Sequence, residues 1–405
     1  MAFLTASIIA LLFLFGLPSA LFYSRKRRLR DITIHRTIST IQHLLDPPKS
    51  TSRERLIARA IPNARLIRAF ALTNTFVSDD SDVHTKFVAH ATSLLKAARW
   101  PHFQQVAADA VEAALLSGSQ IPFDAFIQDV TMRVALVGLL GVDTPVQSEL
   151  DPHDISAVAT LITSLWSLSK KSDPIPPDLL PLLNQHLRRL IPDAHAYPNP
   201  LDYLIPVWET LWRVVATTVA YAHGDDSGGA VFAELRRLPT IVQFRALKDS
   251  QPSAEWFVTE AMRLHPPSKH IARSSLVRPL VSRLLPLVDT LLAMVIAPWV
   301  HRECADIEAV LRSTDIWGAD ADTFDTLRYQ PERLTQEQEG IRWLAFGHGR
   351  YRCVAAAWAP MAAGIISAEV LDRLTGSQPD LRLVEGDHRN IGTREGWKDW
   401  ILYRD

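Results

Sequence analysis

Apolar residues recur through most of this chain at the spacing of an amphipathic helix. Between residues 80 and 116 one apolar face repeats every three or four positions, and its members are Val83, Phe87, Ala91, Leu94 and Leu95. Apolar-rich helical patterns also cover residues 201–222 and 253–264, and the second ends before Pro266 because proline cannot continue the hydrogen-bond ladder. A further helix is predicted over residues 353–374. Period-two alternation is rare, so the pattern predicts a mainly α fold with a small β region.

The N-terminal segment is predicted to be a membrane anchor. Residues 2–23 carry no charge, and about 20 apolar residues span a bilayer as a helix. A basic cluster, residues 25–28, follows the apolar run, whereas a secretory signal carries its positive charge first, so an uncleaved anchor is favoured over a cleaved signal. The positive-inside rule places the rest of the chain in the cytoplasm. We therefore expect one transmembrane helix within residues 1–30 and a folded body over residues 31–405.

Charge and cysteine content exclude several classes of protein. The chain has 43 basic and 44 acidic residues, and five of the basic residues lie within residues 1–30, so the body has an acidic excess that argues against nucleic-acid binding. The two cysteines, Cys304 and Cys353, cannot form a disulfide framework, which fits a reducing compartment. No phosphate-binding loop, dinucleotide motif or zinc motif occurs. Cys304 has no companion ligand and is expected to be an ordinary buried thiol.

The most informative segment is FGHGRYRC at residues 346–353. Its two glycines permit a tight loop, and a helix is predicted to begin just after Cys353. Free N–H groups at a helix N-terminus stabilise a thiolate, and the flanking Arg350 and Arg352 add positive charge, so this cysteine is a candidate metal ligand. A free cysteine taken alone is more often structural, so the interpretation depends on the rest of the chain.

Two other segments accompany the cysteine loop. Glu260 and Arg263 are three residues apart in a predicted helix, so they share one face and can pair. The stretch Pro331-Glu332-Arg333 follows later in the chain. In this order the three segments resemble the ExxR helix, the PER segment and the heme-binding loop of the cytochrome P450 family. The resemblance covers roughly residues 60–405 and is strongest over residues 250–374.

The resemblance implies a cytochrome P450-like fold that holds one heme, an iron protoporphyrin, between two helices. Cys353 would be the axial thiolate ligand of the iron. The other residues assigned to heme binding are Phe346, Gly349, Arg350, Arg352 and Arg273, and a buried network under the loop would consist of Glu260, Arg263 and Arg333.

The oxygen side of such a site normally has an acid and an alcohol in sequence on the central helix. Glu209 and Thr210 supply this pair about fifty residues before Glu260, although Pro206 and Val207 stand where two small residues are usual. A proline kink would supply a comparable groove. The rival pair is Thr217-Thr218, two turns later; Glu209 and Thr210 are favoured because proton delivery needs a carrier as well as a hydroxyl.

Several positions depart from the family pattern. Ala355 replaces the usual glycine two residues after the cysteine, and Tyr351 stands where an arginine or histidine usually meets a propionate. Trp100 with Gln104 only half matches the helix that usually supplies a tryptophan and an arginine. Residues 274–302 form an atypical, strongly apolar insertion.

The function implied by the resemblance is that of a membrane-anchored heme-thiolate monooxygenase at the endoplasmic reticulum. It would oxidise a lipophilic small molecule, as in natural-product biosynthesis, with electrons from NADPH through cytochrome P450 reductase. Two alternatives remain open: a reductase-independent heme-thiolate isomerase or dehydratase, and an anchored, non-catalytic relative that has lost heme.

Overall fold

Fifteen α-helices form most of the described part of the chain. The computed structural model describes residues 32–142, 150–248, 251–277, 299–377, 379–388 and 391–404. The helices are α1 (Ile38–Leu45), α2 (Ser52–Phe70), α3 (Ser81–Ala97), α4 (Trp100–Leu115), α5 (Phe123–Arg133), α6 (Pro152–Ser169), α7 (Leu179–Leu190), α8 (Leu201–His223), α9 (Gly228–Arg237), α10 (Ile241–Phe244), α11 (Ala254–Leu264), α12 (Ile307–Leu311), α13 (Thr314–Trp317), α14 (Gln336–Ile341) and α15 (Ala359–Thr375). Short 3-10 turns lie at Thr326–Tyr329, Leu344–Phe346 and Gly349–Tyr351, and a π-helix at Val134–Leu139 extends α5.

Helices α4, α5, α8 and α15 pack together around the apolar core. Most residues of α8 are buried on every side, including Trp208 and Trp212, as expected of a helix that other elements surround. α15 is similarly buried between Pro360 and Leu371. The mainly α prediction is confirmed, and the predicted helix at residues 201–222 corresponds to α8.

Two three-stranded sheets flank the helices. The first has the order β1-β4-β3, with β1 at Ile32–His35, β3 at His270–Val277 and β4 at Trp299–Asp306. β1 is parallel to β4 and β3 is antiparallel to it. The second sheet is antiparallel, with the order β2-β6-β5 for Gln120–Pro122, Ile401–Arg404 and Leu381–Val384.

The segment predicted as an insertion, residues 274–302, begins and ends within the first sheet. β3 and β4 pair from His270 opposite Asp306 to Val277 opposite Trp299. The outer residues of the segment therefore continue a hairpin, and residues 278–298 lie outside the described part of the chain.

Two helix boundaries differ from the sequence pattern. The helical stretch predicted over residues 80–116 is divided into α3 and α4, and Pro101 lies in the first turn of α4, where its missing N–H has no cost. The helix predicted from residue 353 begins only at Ala359. The Cys353 N–H donates to the Phe346 carbonyl (2.9 Å), which keeps this part of the chain in the loop.

The prediction of a transmembrane helix requires correction. Within the described ranges no helix combines the length and the apolar character needed to cross a bilayer. Residues 1–30, where the anchor was predicted, lie outside those ranges. The fold is therefore described without a membrane-spanning helix, and the single-pass localisation at the endoplasmic reticulum, which depended on that helix, is withdrawn.

Candidate heme site

The loop before Cys353 depends on two glycines with left-handed backbone. Gly347 has φ 82° and Gly349 has φ 70°, a region that side chains disfavour. A Cβ on Gly349 would also lie 2.2 Å from the Cβ of Asp46, so the loop packs directly against the residue that ends α1. With the bond from Cys353 to Phe346, these features hold the cysteine backbone in one position.

The Cys353 side chain borders a cavity of about 420 Å³. The cysteine is exposed to this space, yet protein atoms crowd its sulfur and raise the pKa of the thiol. The Ala355 N–H and the Arg352 charge act in the opposite direction but do not outweigh this effect. The expectation of a thiolate stabilised at a helix N-terminus is therefore corrected, because α15 begins only at Ala359. A metal would have to displace the thiol proton, as it commonly does when it binds cysteine.

A basic cluster lies next to this loop, and we define it as Arg59, Arg273, His84 and the ring of Tyr351. The Arg59 guanidinium lies 5.0 Å from the Tyr351 ring centroid, and the His84 ring meets the same ring edge-on at 4.8 Å. Both Arg59 and His84 bond the Thr75 hydroxyl. Tyr351 thereby links the cluster to the cysteine loop.

The two arginines of the basic cluster have no acidic side chain beside them among the described residues. Burial lowers the pKa of Arg59 to about 10, and burial together with the charge of Arg59 lowers the pKa of Arg273 to about 10. Burial and Arg59 also lower the pKa of His84. Among the described residues, Arg59 donates to the Thr75 hydroxyl and Arg273 to the Ala272 carbonyl, neither pairs with an acidic residue, and the Arg59 Nε is buried without a hydrogen-bond partner. This donor set fits a ligand with carboxylate groups.

Sequence reasoning singled out Arg273 but missed Arg59, which lies in α2 with no motif around it. Arg350 and Arg352, the other two candidates for propionate binding, are exposed. Arg352 lines the cavity beside Cys353. The half-matching pair Trp100 and Gln104 serves packing, since Trp100 stacks on Trp358 at 5.7 Å and Gln104 bonds Glu369 at 2.8 Å.

Glu260 and Arg263 lie completely buried in α11 and form a two-pronged ion pair, with N···O distances of 2.8 and 2.7 Å. Arg263 also donates to the carbonyls of Leu311 (2.9 Å) and Ala321 (2.7 Å). The Glu260 carboxylate also accepts hydrogen bonds from the Asp325 N–H, 3.1 Å away, and from the side chains of Arg328 and Tyr329. The pair therefore fastens the segments after α12 and α13 to the helix core, which is a structural role.

The third member of this network is Arg328, which corrects the prediction for Arg333. The Arg328 Nε lies 3.4 Å from the Glu260 Oε1, and the Tyr329 hydroxyl donates to the Glu260 Oε2 at 3.0 Å. Arg333 instead pairs with Asp325 at 2.5 Å, and its side chain is 43% exposed. The 3-10 turn at Thr326–Tyr329 directs Arg328 and Tyr329 inward. The PER segment did not predict this turn.

Glu209 and Thr210 lie in α8, but their surroundings differ from one another. Glu209 is 2% exposed, and its carboxylate faces Arg213, one turn later (3.7 Å), and Arg394 from the C-terminal segment. Thr210 is half-buried, and its hydroxyl makes only a long bond to the Val207 carbonyl (3.4 Å). The Arg394 contact is one that sequence reasoning missed.

The rival pair on α8, Thr217 and Thr218, is less accessible for proton delivery than Thr210. The Thr217 hydroxyl donates to the Arg213 carbonyl at 2.6 Å, the local bond that threonine commonly makes inside a helix. Thr218 is fully buried, and its hydroxyl has no partner among the described residues. α8 runs unbroken through Pro206.

Cys304 lies in β4 and is partly buried. Burial and the charge of Asp306 raise the pKa of its thiol. Its sulfur has a weak contact with the neighbouring Ala305 carbonyl at 3.8 Å. This sulfur belongs to the sheet, whereas the Cys353 sulfur opens onto a cavity.

A mainly helical fold with a buried Glu–Arg pair and a glycine-shaped cysteine loop defines the structural class. Solved structures that resemble the chain include the heme domain of a cytochrome P450DA mutant, with TM-score 0.57 and 16% identity over 92% of this chain and 84% of that one. A second is P450 OxyD, described as involved in the biosynthesis of vancomycin-type antibiotics, with TM-score 0.53 and 16% identity over 92% and 89%. A third is CYP154A1 from Streptomyces coelicolor A3(2), with TM-score 0.53 and 18% identity over 86% and 85%.

The chain therefore has the cytochrome P450 fold, as the sequence resemblance implied. The sequence matches no protein-family model and no curated protein. At 16–18% identity these likenesses establish the fold alone.

Proposed function

We propose that the chain is a heme-thiolate monooxygenase. The observation that carries this proposal is the pairing of an exposed cysteine residue in a glycine-shaped loop with the basic cluster beside it. A buried guanidinium without an acidic partner is costly, so the buried Arg59 beside the half-buried Arg273 is best accounted for by an anionic ligand. The two propionates of heme would neutralise Arg59 and Arg273 while Cys353 ligates the iron.

The residues present fit this group by their chemistry. When bound, heme supplies the oxygen chemistry, and a thiolate ligand favours cleavage of the O–O bond. Cys353 would lose its proton on ligation. Phe346, Gly347 and Gly349 hold the loop that presents the sulfur, and Arg352 adds positive charge beside it.

Glu209 and Thr210 are our candidates for proton delivery on the oxygen side. The Thr210 hydroxyl makes only its long bond to Val207, so it can turn toward a ligand without losing a strong bond. The buried Glu209 lies one residue away and would relay protons to it.

The wider reaction is also part of the proposal. Electrons would come from NADPH through a reductase that docks on the cysteine side, where the exposed Arg350 and Arg352 offer positive charge. The substrate would be an oxidisable small molecule with a lipophilic body, as in natural-product biosynthesis. The apolar core around α8 supports a water-poor site for it.

One observation favours a second candidate, a reductase-independent heme-thiolate isomerase or dehydratase. The Glu209 carboxylate faces both Arg213 and Arg394, and two neighbouring guanidinium groups make a carboxylate a weaker proton donor. Under this alternative, turnover would not require NADPH.

The test is the absorbance spectrum of the purified, heme-loaded chain after reduction and addition of carbon monoxide. A thiolate-ligated heme gives its characteristic red-shifted band, which Cys353→His should abolish and Cys304→Ser should leave unchanged. A chain that binds no heme under any loading condition would overturn the proposal. NADPH-dependent turnover with a reductase separates the monooxygenase from the isomerase.

A further inference from the structure

A second group of positive charges comes together from α2, the end of α6, α8 and the C-terminal segment. We call it the distal cluster and define it as Arg65, Lys170, Arg213 and Arg394. The guanidinium groups of Arg65 and Arg394 lie 4.7 and 5.2 Å from the centroid of the Trp166 ring.

The distal cluster includes residues from four separate parts of the chain. Arg65 is in α2, Lys170 directly follows α6, Arg213 is in α8 and Arg394 is in the C-terminal segment. Burial lowers the pKa of Lys170, and the charges of the three arginines lower it further. Burial and the charge of Arg65 lower the pKa of Arg394 to about 10. The four cations therefore act on one another.

Negative charge in this region is scarce. Among the described residues, the carboxylate that contacts the distal cluster is that of Glu209, which faces Arg213 and Arg394. Arg65 instead donates to the Ser169 hydroxyl at 2.5 Å. The Arg394 Nε is buried and has no hydrogen-bond partner. Four cationic side chains thus share one carboxylate, and at least one buried donor is unused.

The position of the cluster connects it to the proposed reaction. Arg213 lies one turn after Glu209 on α8, and Thr210 is the next residue after Glu209. The distal cluster therefore contacts Glu209 directly, and Thr210 is the neighbouring residue in the chain. A ligand that used the free donors would lie close to them.

We propose that the distal cluster binds an anionic oxygen group, a carboxylate or a phosphate, at one end of the substrate. This inference rests on the proposed function for its claim that the ligand is a substrate. Guanidinium groups present paired N–H donors that match both kinds of oxoanion. The substrate is thus an amphiphile, with an apolar body and one anionic end, which refines the prediction of a purely lipophilic molecule.

The binding test uses the full chain loaded with heme and three ten-carbon probes: decanoate, decyl phosphate and decanol. Isothermal titration calorimetry measures the affinity for each probe. We expect decanoate or decyl phosphate to bind at least tenfold more tightly than decanol, because a hydrogen bond to a charged group contributes about 1.5–3 kcal/mol. The relative affinities of the two anions distinguish a carboxylate from a phosphate substrate. Equal affinity for the anions and decanol would overturn the inference.

The variants are chosen to separate recognition from folding. Arg394→Gln and Arg65→Gln should each remove about tenfold or more of the preference for the anion. Arg68→Gln is the matched control, since Arg68 is on the same helix as Arg65 and donates to the Ser169 and Lys171 carbonyls. It should keep the preference. If Arg394→Gln fails to fold because Glu209 loses a partner, Arg65→Gln decides alone.

Heme absorbance recorded on the same samples distinguishes this inference from the proposed function. A normal heme spectrum with no anion preference refutes the distal site and leaves the proposed function intact. An arginine-dependent anion preference in a chain that cannot bind heme supports the site and refutes the proposed function. If Arg68→Gln lost the preference as fully as Arg65→Gln, both arginines would serve only to hold α2 against the end of α6, and the inference would be overturned.

Discussion

Arg328 lies against Glu260 in the folded chain, with its guanidinium Nε 3.4 Å from the carboxylate Oε1. Glu260 is completely buried and Arg328 is 5% exposed at its side chain. Arg328 also donates to the Trp317 carbonyl at 3.1 Å, so one guanidinium joins α11 to the end of α13. The packing of α11 against α13 therefore depends strongly on the Arg328 side chain.

Arg328→Gln should therefore lower the free energy of unfolding by about 3 kcal/mol, because it leaves part of a buried charge uncompensated. Arg333→Gln is the matched control and should cost under about 1 kcal/mol, since Arg333 forms a largely exposed ion pair. Urea unfolding of both variants measures the difference. If Arg333→Gln proved the more damaging, Arg333 would have to replace Arg328 as the third member of the network.

Arg59→Gln should change stability and heme binding in opposite directions. Without heme, removal of a buried guanidinium that lacks an acidic partner should stabilise the chain by about 1–3 kcal/mol, given the lowered pKa of Arg59. With heme, the same change should speed heme loss, because one propionate loses its partner. Thermal unfolding of the heme-free chain and transfer of heme to a scavenger protein measure the two effects.

Arg53→Gln is the control for Arg59→Gln, since Arg53 is an exposed residue of the same helix with a weak ion pair to Asp79 at 3.8 Å. It should change neither quantity. A loss of stability in heme-free Arg59→Gln would show that Arg59 is satisfied without an anionic ligand.

His265 should make the chain less stable as the pH falls below neutrality. Burial, with the charges of Arg312 and Lys269, lowers the pKa of His265 from 6.5 to about 3. Between these values the unfolded chain binds a proton that the folded chain does not, so the free energy of unfolding is highest above pH 6.5 and falls with pH by about 1.4 kcal/mol per unit for this residue. Urea unfolding at pH 7, 6 and 5 measures the slope.

His265→Gln should make this slope shallower by about 1.4 kcal/mol per pH unit while retaining a partner for the Tyr221 hydroxyl, which lies 2.9 Å from the His265 Nε2. His102→Gln, at an exposed position, is the control for the substitution itself. An unaltered slope in His265→Gln would mean that the folded chain accommodates the charged ring.

Thr210→Ala should uncouple NADPH oxidation from product formation. If Thr210 delivers protons, the variant still accepts electrons from a reductase, but reduced oxygen leaves as hydrogen peroxide and product formation falls by about 10²–10⁴-fold. Hydrogen peroxide released per NADPH oxidised is the measurement. Thr217→Ala is the control, because the Thr217 hydroxyl is engaged by the Arg213 carbonyl. Uncoupling in Thr217→Ala alone would move the oxygen site two turns along α8.

Local sequence patterns predicted the elements whose structure is determined locally. The period of the apolar residues indicated α8 and α11, and the three-residue spacing placed Glu260 and Arg263 on one face. The glycines of the cysteine loop were recognisable because their backbone conformation suits almost no other residue. In each case the determining interaction lies within about ten residues.

Contacts between distant segments were not predictable in the same way. Arg59 reaches the site from α2 and Arg394 reaches Glu209 from the C-terminal segment, and neither has a motif around it. Arg328 and Arg333 lie five residues apart in the chain, and the 3-10 turn at Thr326–Tyr329 places Arg328 rather than Arg333 against Glu260. Nothing in the sequence indicated that protein atoms would surround the Cys353 thiol and raise its pKa, or that α15 would begin as late as Ala359.

The register of the β3–β4 hairpin has a consequence for how this chain can change in length. Val277 and Trp299 are opposite each other in the sheet, so the two ends of residues 278–298 are neighbours in space. A segment that leaves and re-enters a fold at adjacent points can be lengthened, shortened or exchanged without displacing the rest, since each doubling of a loop costs only about 0.6 kcal/mol. Insertions and deletions in residues 278–298 should therefore be tolerated without moving the cysteine loop or the basic cluster.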